Sequence, residues 1–338
     1  MSEFAPFPTT PDGSAARRPT VVVLTAPGTA PPTNTAALER HAELVFTDAA
    51  GLPAALPGAS VLFVWDFFST ALRDAWVHAD ALEWVHVAAA GVDSLLFDGL
   101  RDSGVTVTNA QGAFDGPIAE FVLASVLAHD KQLHQSRRLQ DRAVWRHREV
   151  QRSAGRRALV VGTGGIGRAT ARLLRAVGIE VRGAGRTGRD DDPDLGLVVP
   201  SAELADHVGW ADHVVLIAPL TAATRGLVDA RVLARMKPTA HLVNVGRGAL
   251  LDEPALVTAL RTGTIAAASL DVFTEEPLPA DHPFWRLENV QVSAHMSGDV
   301  VGWRDTLAQQ FEDNLLRWCA GTGLRNVVDK QVGYVRSS

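Results

Sequence analysis

The sequence predicts an α/β protein of two domains, each built on a parallel sheet, Rossmann-like or flavodoxin-like in kind. Three observations point there. Short apolar, β-branched runs alternate with stretches of helical spacing, a rhythm that lays strands side by side with helices crossing between them. One long helical segment interrupts the rhythm and divides it into two blocks. The second block opens on a glycine-rich turn between a strand and a helix. A length of 338 residues suits two domains, and 46% hydrophobic with 21% charged residues is a globular composition.

Residues 1–19 contain four prolines and several small polar residues, and are expected to form a disordered tail, so that folded structure begins near Thr20. This stretch has neither the basic start nor the apolar centre of a secretion signal, and no apolar run reaches the roughly 20 residues that span a bilayer. The outer block offers Val21–Thr25, Leu44–Thr47, Val61–Trp65, Trp84–Ala88 and Val105–Asn109 as strands, with helix over stretches such as Thr70–Ala79. A helix is predicted from Pro117 to about Arg146, because proline suits a first turn and Phe121, Leu123, Val126 and Leu127 recur at helical spacing. The second block offers Ala158–Val161, Ile179–Ala184, His213–Ala218, His241–Val245, Ala266–Val272 and Val290–Ala294 as strands.

A net charge of -6, from 32 basic and 38 acidic side chains, argues against nucleic acid or an anionic membrane as partner, since both need a concentrated basic face. The single cysteine, Cys319, excludes an internal disulfide and a multi-cysteine metal cage, and fits a reducing cytoplasm. No histidine or cysteine spacing suggests a metal site.

Gly162-Thr163-Gly164-Gly165-Ile166-Gly167 follows the strand ALVV and precedes a helical stretch. In that context Gly162 permits a tight turn, Gly164 lets the backbone approach a pyrophosphate, and Gly167 lets helix and strand pack closely, with helix amides facing the anion. A ligand-free glycine turn is the plainer alternative. About 20 residues on, where an acid usually binds the adenosine ribose, the chain reads Gly185-Arg186-Thr187-Gly188-Arg189. The acid is missing, and Arg186, Thr187 and Arg189 offer donors to a 2′-phosphate, which favours NADP, with NAD possible. Asp190, Asp191, Asp192 and Asp194 would weaken such a site if they folded back over it.

Arg247 lies just beyond the strand LVNV, where open α/β sheets bind ligands and where a guanidinium can clamp a carboxylate. Asp271 and Glu276 follow another strand, and the run Val290–Ala294 ends directly in His295. A histidine to move a proton, a carboxylate to orient it and an arginine to hold the substrate are what hydride transfer at a carbonyl beside a carboxylate needs. Singly, each also reads as a solvated or turn residue.

With these residues in view, the sequence resembles the D-isomer-specific 2-hydroxyacid dehydrogenases from about residue 58 to 325. The resemblance rests on Ala89-Ala90-Gly91-Val92-Asp93, Thr108-Asn109, Ala119-Glu120, the glycine loop, Pro219-Leu220-Thr221 with Thr224, Met236-Lys237, Asn244 through Gly248, Asp271 through Pro277, and His295 with Gly298. It implies a cofactor domain (111–296) inserted into a discontinuous substrate domain (20–110 and 297–338), closing around a cleft, in a homodimer built partly on the helix after Pro117. It also implies that Arg247 holds a 2-oxo acid, His295 exchanges the proton and Glu276 partners the histidine. The backbone of Ala89, Ala90 and Gly91 would cradle the substrate carboxylate, and Asp271 would contact the nicotinamide carboxamide. Further cofactor contacts are implied for Gly162, Gly164, Gly165, Ile166, Gly167, Arg186, Thr187, Pro219, Val245, Gly246 and His295. Gly185 departs from the family's common acid, and Ala294 from its common proline before the histidine.

The expected activity is reduction of a 2-oxo acid by NADPH, or the reverse oxidation. Phosphite oxidation on the same fold, or a non-catalytic cofactor-sensing interaction protein, are the alternatives. Trp65-Asp66-Phe67-Phe68 and Trp303 suggest an aromatic or apolar substrate side chain, or equally ordinary packing.

Overall fold

Five strands of the outer block are β1 (Thr20–Leu24), β2 (Glu43–Thr47), β3 (Val61–Val64), β4 (Trp84–Val87) and β5 (Thr106–Asn109). They form a parallel sheet in the order β2-β1-β3-β4-β5. The computed structural model describes residues 18–336, so most of the expected tail, 1–17, lies outside the described residues. β1 from Val21 onward and the whole of β3 are apolar because both faces are covered: Val21, Val22, Val23 and Leu24 are all buried, as are the four residues of β3. Each such side chain contributes on the order of 1.5–3 kcal/mol relative to exposure. The helix expected over Thr70–Ala79 is Ala71–Ala75 continued by a 3₁₀ turn, Trp76–His78.

The chain divides into two compact units, one comprising the residues up to Ala110 together with Arg304–Arg336, the other Gln111–Trp303. The outer unit is therefore discontinuous, with the second unit inserted into it.

The inserted unit holds β6 (Arg157–Val161), β7 (Glu180–Gly185), β8 (Arg189–Asp192), β9 (Gly196–Pro200), β10 (His213–Leu216), β11 (His241–Asn244), β12 (Ala267–Leu270) and β13 (Val290–Val292). Their order is β13-β12-β11-β10-β6-β7-β9-β8, parallel except for the β8–β9 pair. Strand alternation sorts the core into two layers. Leu159, Val161, Val214, Leu216 and Leu242 pack with Leu233, Leu256 and Leu260 on one face. Ala158, Val160, Val215 and Val243 pack with Val122, Val126, Ala171 and Leu174 on the other. The strand order reverses at β6, whose neighbours are β10 and β7, and a reversal of this kind opens a crevice at the carboxyl ends of the strands.

Two expectations need correction. The single helix from Pro117 to Arg146 is two, Asp115–Asp130 and Leu133–Asp141, broken where Gln132 takes the left-handed conformation at φ 50°. Arg148 folds back to bond the Gln132 carbonyl and side chain at 3.0 and 2.9 Å, and residues 144–150 have no regular structure. No glycine or proline marks the break, so tertiary contacts rather than local propensity place it. The arginine loop after β7 contains two unforeseen strands, β8 and β9. The polar run Arg-Asp-Asp-Asp carries no apolar alternation that would announce a strand. Trp65 is 2% exposed, its indole N–H donating to the Ala30 carbonyl at 2.9 Å, with the Arg304 guanidinium 5.6 Å from the ring centre. Trp303 packs with Phe114 at 6.1 Å. Of the aromatic group, Trp65 is thus a packing residue, whereas Trp303 is half-buried and Phe68 is exposed.

Candidate active site

The register of the inserted sheet brings the proposed residues to one edge. Leu216, Asn244, Leu270 and Val292 are successive partners across β10, β11, β12 and β13, and Leu216 also pairs with Val161 of β6. From these ends emerge, in spatial order, His295 after β13, Asp271 after β12, Arg247 after β11, Pro219 after β10 and the glycine loop after β6. Residues more than 130 positions apart in the chain thus share one sheet edge.

The glycine loop and the helix Gly165–Ala176 form a cradle suited to a pyrophosphate. Gly162 turns at φ 122°, and a β-carbon on Gly167 would strike the Gly162 carbonyl, so helix and strand meet as the motif requires. No side chain caps this helix, which leaves its first amides for an anion, and the space beside Gly164 is open to an approaching group. The 2′-phosphate question lies at the end of β7. Arg186 and Thr187 are exposed there. Arg189 is committed elsewhere: its Nε donates to Asp192 Oδ2 at 2.8 Å, and the Arg168 guanidinium meets the same carboxylate at 2.8 and 3.0 Å. Asp194 pairs with Arg168 and Arg172, both at 3.1 Å. Two of the four acids that threatened this site are therefore neutralised by arginines of the loop and of the helix. The residues present fit a dinucleotide, with Arg186 and Thr187 placed for an added phosphate.

Arg247 stands in a turn held by Asn244, whose carboxamide accepts from Gly246 N–H at 3.1 Å and donates to the Arg247 carbonyl at 3.0 Å. A β-carbon on Gly248 would collide with the Phe273 backbone, so glycine there lets the arginine turn and the 273–276 loop touch. Glu276 is fixed in that loop by Phe273 N–H, which donates to Oε1 at 2.8 Å. Its other oxygen, Oε2, lies 2.7 Å from His295 Nδ1. Burial alone would raise the Glu276 carboxyl, but hydrogen bonds from His295 and Phe273, with the charges of His295 and Arg247, outweigh it and hold the group below its ordinary value. Glu276 is thus a carboxylate at neutral pH, and it engages His295 through Nδ1.

His295 holds φ 50°, a left-handed backbone that a non-glycine residue adopts only under constraint. The constraint comes from Asp271, a fully buried residue. Its main-chain carbonyl accepts from His295 N–H at 2.8 Å. Its carboxylate accepts from Ser293 Oγ at 2.6 Å, Met296 N–H at 3.0 Å and Ser297 N–H at 2.9 Å. Sequence reasoning overlooked Ser293, whose only signal was position beside a strand end, and noted Asn244 only as part of the motif ending at Gly248, not as the support of the arginine turn.

Pro219, Val245 and Gly246 line the same edge, Pro219 exposed and the other two buried. Ala89, Ala90 and Gly91 follow β4 in the other unit, half-buried. There the Ala89 carbonyl accepts from Ala110 N–H at 2.9 Å and the Ala90 carbonyl from the Asn109 side chain, so the backbone N–H groups are what this segment can offer a carboxylate.

Residues 123–297 match the model of the D-isomer specific 2-hydroxyacid dehydrogenase NAD binding domain. The chain is 33% identical over 266 residues to a glyoxylate reductase of Korarchaeum cryptofilum, covering 76% of this chain and 79% of that one. It is 30% identical over 262 residues to glyoxylate/hydroxypyruvate reductase A of Serratia proteamaculans, covering 75% and 82%. Among solved structures, the NADPH-dependent glyoxylate/hydroxypyruvate reductase of Sinorhizobium meliloti, in complex with NADP and sulfate, superposes with a TM-score of 0.81 at 28% identity, covering 94% of this chain and 100% of that one. A D-isomer specific 2-hydroxyacid dehydrogenase of Xanthobacter autotrophicus, in complex with NADPH and MES, gives 0.80 at 31% identity, covering 93% and 99%.

Proposed function

The chain belongs to the D-isomer specific 2-hydroxyacid dehydrogenase family, and on that premise we propose that it reduces a small 2-oxo acid with NADPH, or runs the reverse oxidation. The observation that carries the reading is the His295–Glu276 contact of 2.7 Å beside Arg247, at the sheet edge that also bears the glycine loop. The reduced nicotinamide, when bound, supplies the hydride. Arg247 holds the oxo acid by its negative charge, His295 Nε2 protonates the carbonyl oxygen, and Glu276 keeps the imidazole oriented. Ala89, Ala90 and Gly91 offer backbone N–H groups to the substrate carboxylate. The inserted unit is read as the cofactor domain and the discontinuous one as the substrate domain.

Substrate size is argued from the relatives, which are named for glyoxylate and hydroxypyruvate, and from the burial of Trp65, which removes one wall of the aromatic site. NADP is favoured by Arg186 and Thr187 and by the NADP(H) complexes of the neighbouring structures, while NAD remains usable by the same cradle. Neither phosphite oxidation nor a purely sensing role gains support from these relatives. A screen of glyoxylate, hydroxypyruvate, pyruvate, phenylpyruvate and phosphite with both cofactors, read by nicotinamide absorbance, tests the reading. Turnover of the small oxo acids with NADPH supports it; no oxo acid turned over contradicts it.

A homodimer in the cytoplasm completes the proposal. Trp145 is 100% exposed, and Val144, Val150 and Leu133 are exposed nearby in the chain, as a covering partner would explain. Light scattering should give twice the 36.0 kDa chain mass, falling to a monomer in Trp145→Ser. Among the described residues no helix is long and apolar enough to cross a membrane.

A further inference from the structure

The glycine loop carries one glycine more than its turn demands. Gly162, Gly164 and Gly167 answer to the tight turn, the approach of a pyrophosphate and helix packing, but Gly165 has a different reason. A β-carbon on Gly165 would strike both carboxylate oxygens of Asp115, the first residue of the helix Asp115–Asp130. An acid thus covers the first residue of the helix Gly165–Ala176, whose opening amides have no side-chain cap and are left for an anion. Among the described residues no hydrogen bond reaches this carboxylate. Burial raises it above its ordinary value, against the charge of Arg172 on the facing helix. The other charges around it are turned aside. Arg168 bonds Asp192 and Asp194, and Arg172 itself donates to Asp194 at 3.1 Å. Glu120 of the same helix is exposed, as is Asp299, next to the Gly298 that packs on Phe114.

We propose that Asp115 opposes the cofactor's pyrophosphate at the amino end of the helix Gly165–Ala176, so that NADPH binds with uptake of a proton at this carboxyl group. Two anions at one helix terminus repel, and the carboxylate is the one that can be neutralised, because a diphosphate diester stays ionised. A like charge at close range is worth about tenfold in an equilibrium, and linkage puts the same factor on the ligand. The acid therefore loosens the cofactor at neutral pH and lets it tighten as pH falls. Asp115 also meets the favourable amino end of its own helix, a structural role that would touch stability and leave ligand-linked protons unmoved. The opposing role rests on the dinucleotide reading of the cradle.

Calorimetry of NADPH binding between pH 5 and pH 8, in buffers of different ionisation enthalpy, gives both the affinity and the protons taken up. The 2′-phosphate titrates at about pH 6 in its own right, but alike in every protein, so differences between proteins isolate residue 115. Asp115→Asn keeps the size and removes the charge. It should bind NADPH about tenfold more tightly than the wild-type protein at pH 8, with the gap closing toward pH 5. Near pH 5 it should also take up fewer protons on binding. Adenosine 2′-monophosphate, which lacks the diphosphate, should bind both proteins alike. Asp115→Ser should follow the asparagine variant, and it decides the matter should that variant not fold.

Equal affinity and equal proton uptake in the wild-type protein and the variants would overturn the proposal, and so would weaker NADPH binding without the acid at pH 8. A gain shared by adenosine 2′-monophosphate would overturn it too, since the diphosphate would not be the group opposed. Failure of every protein to bind NADPH is a separate result, which overturns the dinucleotide reading and this role with it.

Discussion

Thr163 closes over Gly185: a β-carbon on residue 185 would lie 2.9 Å from the Thr163 methyl and 3.2 Å from its hydroxyl. The space an acidic side chain would leave by is taken, so the absence of that acid is built into the glycine loop as well as into β7. The wild-type enzyme is expected to show a higher kcat/KM with NADPH than with NADH. Gly185→Asp alone should weaken both cofactors, because the threonine must move. Thr163→Ala with Gly185→Asp and Arg186→Gln should shift the ratio toward NADH, through ribose hydrogen bonds and repulsion of the phosphate. A wild-type preference for NADH contradicts the assignment.

Asp192, whose side chain is 2% exposed, is bonded by both Arg168 and Arg189. Burial opposes its charge, but the two guanidinium groups and the amides of Leu195 and Asp194 prevail and hold the carboxyl far below its ordinary value. Because the folded value is depressed, the stabilisation is complete above pH about 3.8 and is lost only as pH falls below it. Asp192→Ala leaves Arg168 and Arg189, 31% and 38% exposed, without this partner and should cost about 1 kcal/mol in urea unfolding at pH 7. An unchanged unfolding midpoint counts against this role.

Acid should unfold the protein earlier, through histidines. His129 stacks on His241 at 4.3 Å, His241 bonds Ser269 at 2.9 Å, and His213 lies 3.3 Å from Asp130. Burial first, then the charges of His213, Arg156 and His134, push His129 down to about 4 against the pull of Asp130, and burial pushes His241 well down. The unfolded chain binds protons these rings refuse, so stability falls as pH drops from about 6.5 to about 4, by roughly 1.4 kcal/mol per pH unit for each proton. His241→Asn should flatten that slope; an equally steep slope contradicts the assignment.

Turnover should survive chelation. Among the described residues no group of three or more His, Cys, Asp or Glu side chains could hold a metal ion, and the proton chemistry is assigned to His295. Activity lost to a chelator and restored by a divalent ion is the opposing result.

The parts of the site legible in the sequence are those set by strand ends. Apolar runs announced β6, β10, β11, β12 and β13, and sheet register then forced Gly162, Pro219, Arg247, Asp271 and His295 onto one edge. What stayed hidden depends on side-chain direction across loops. Nothing in the run Arg189–Asp192 shows that Asp192 turns inward to Arg168, 24 residues earlier in the chain. Likewise, the direction of the Asp271 carboxylate follows from the conformation of residues 293–297, which no periodicity encodes. The break at Gln132 escaped for a similar reason, since the contact from Arg148 arrives from a segment without regular structure.

The most direct test of the assigned chemistry is kcat/KM against pH, in both directions, for the wild-type and Glu276→Gln enzymes. The carboxylate lies 2.7 Å from Nδ1, and against burial the hydrogen bond and charge of His295 help hold it below its ordinary value, so the two groups are coupled in the proton transfer that reduction and oxidation run in opposite directions. Replacing it by an amide of equal size should move the alkaline limb of reduction and the acid limb of oxidation together to lower pH. His295→Gln, assayed alongside, should lose on the order of 10²–10⁴ in turnover while binding cofactor normally. Limbs that stay in place in Glu276→Gln, or near-normal turnover without His295, contradict the pair as the proton-transfer device.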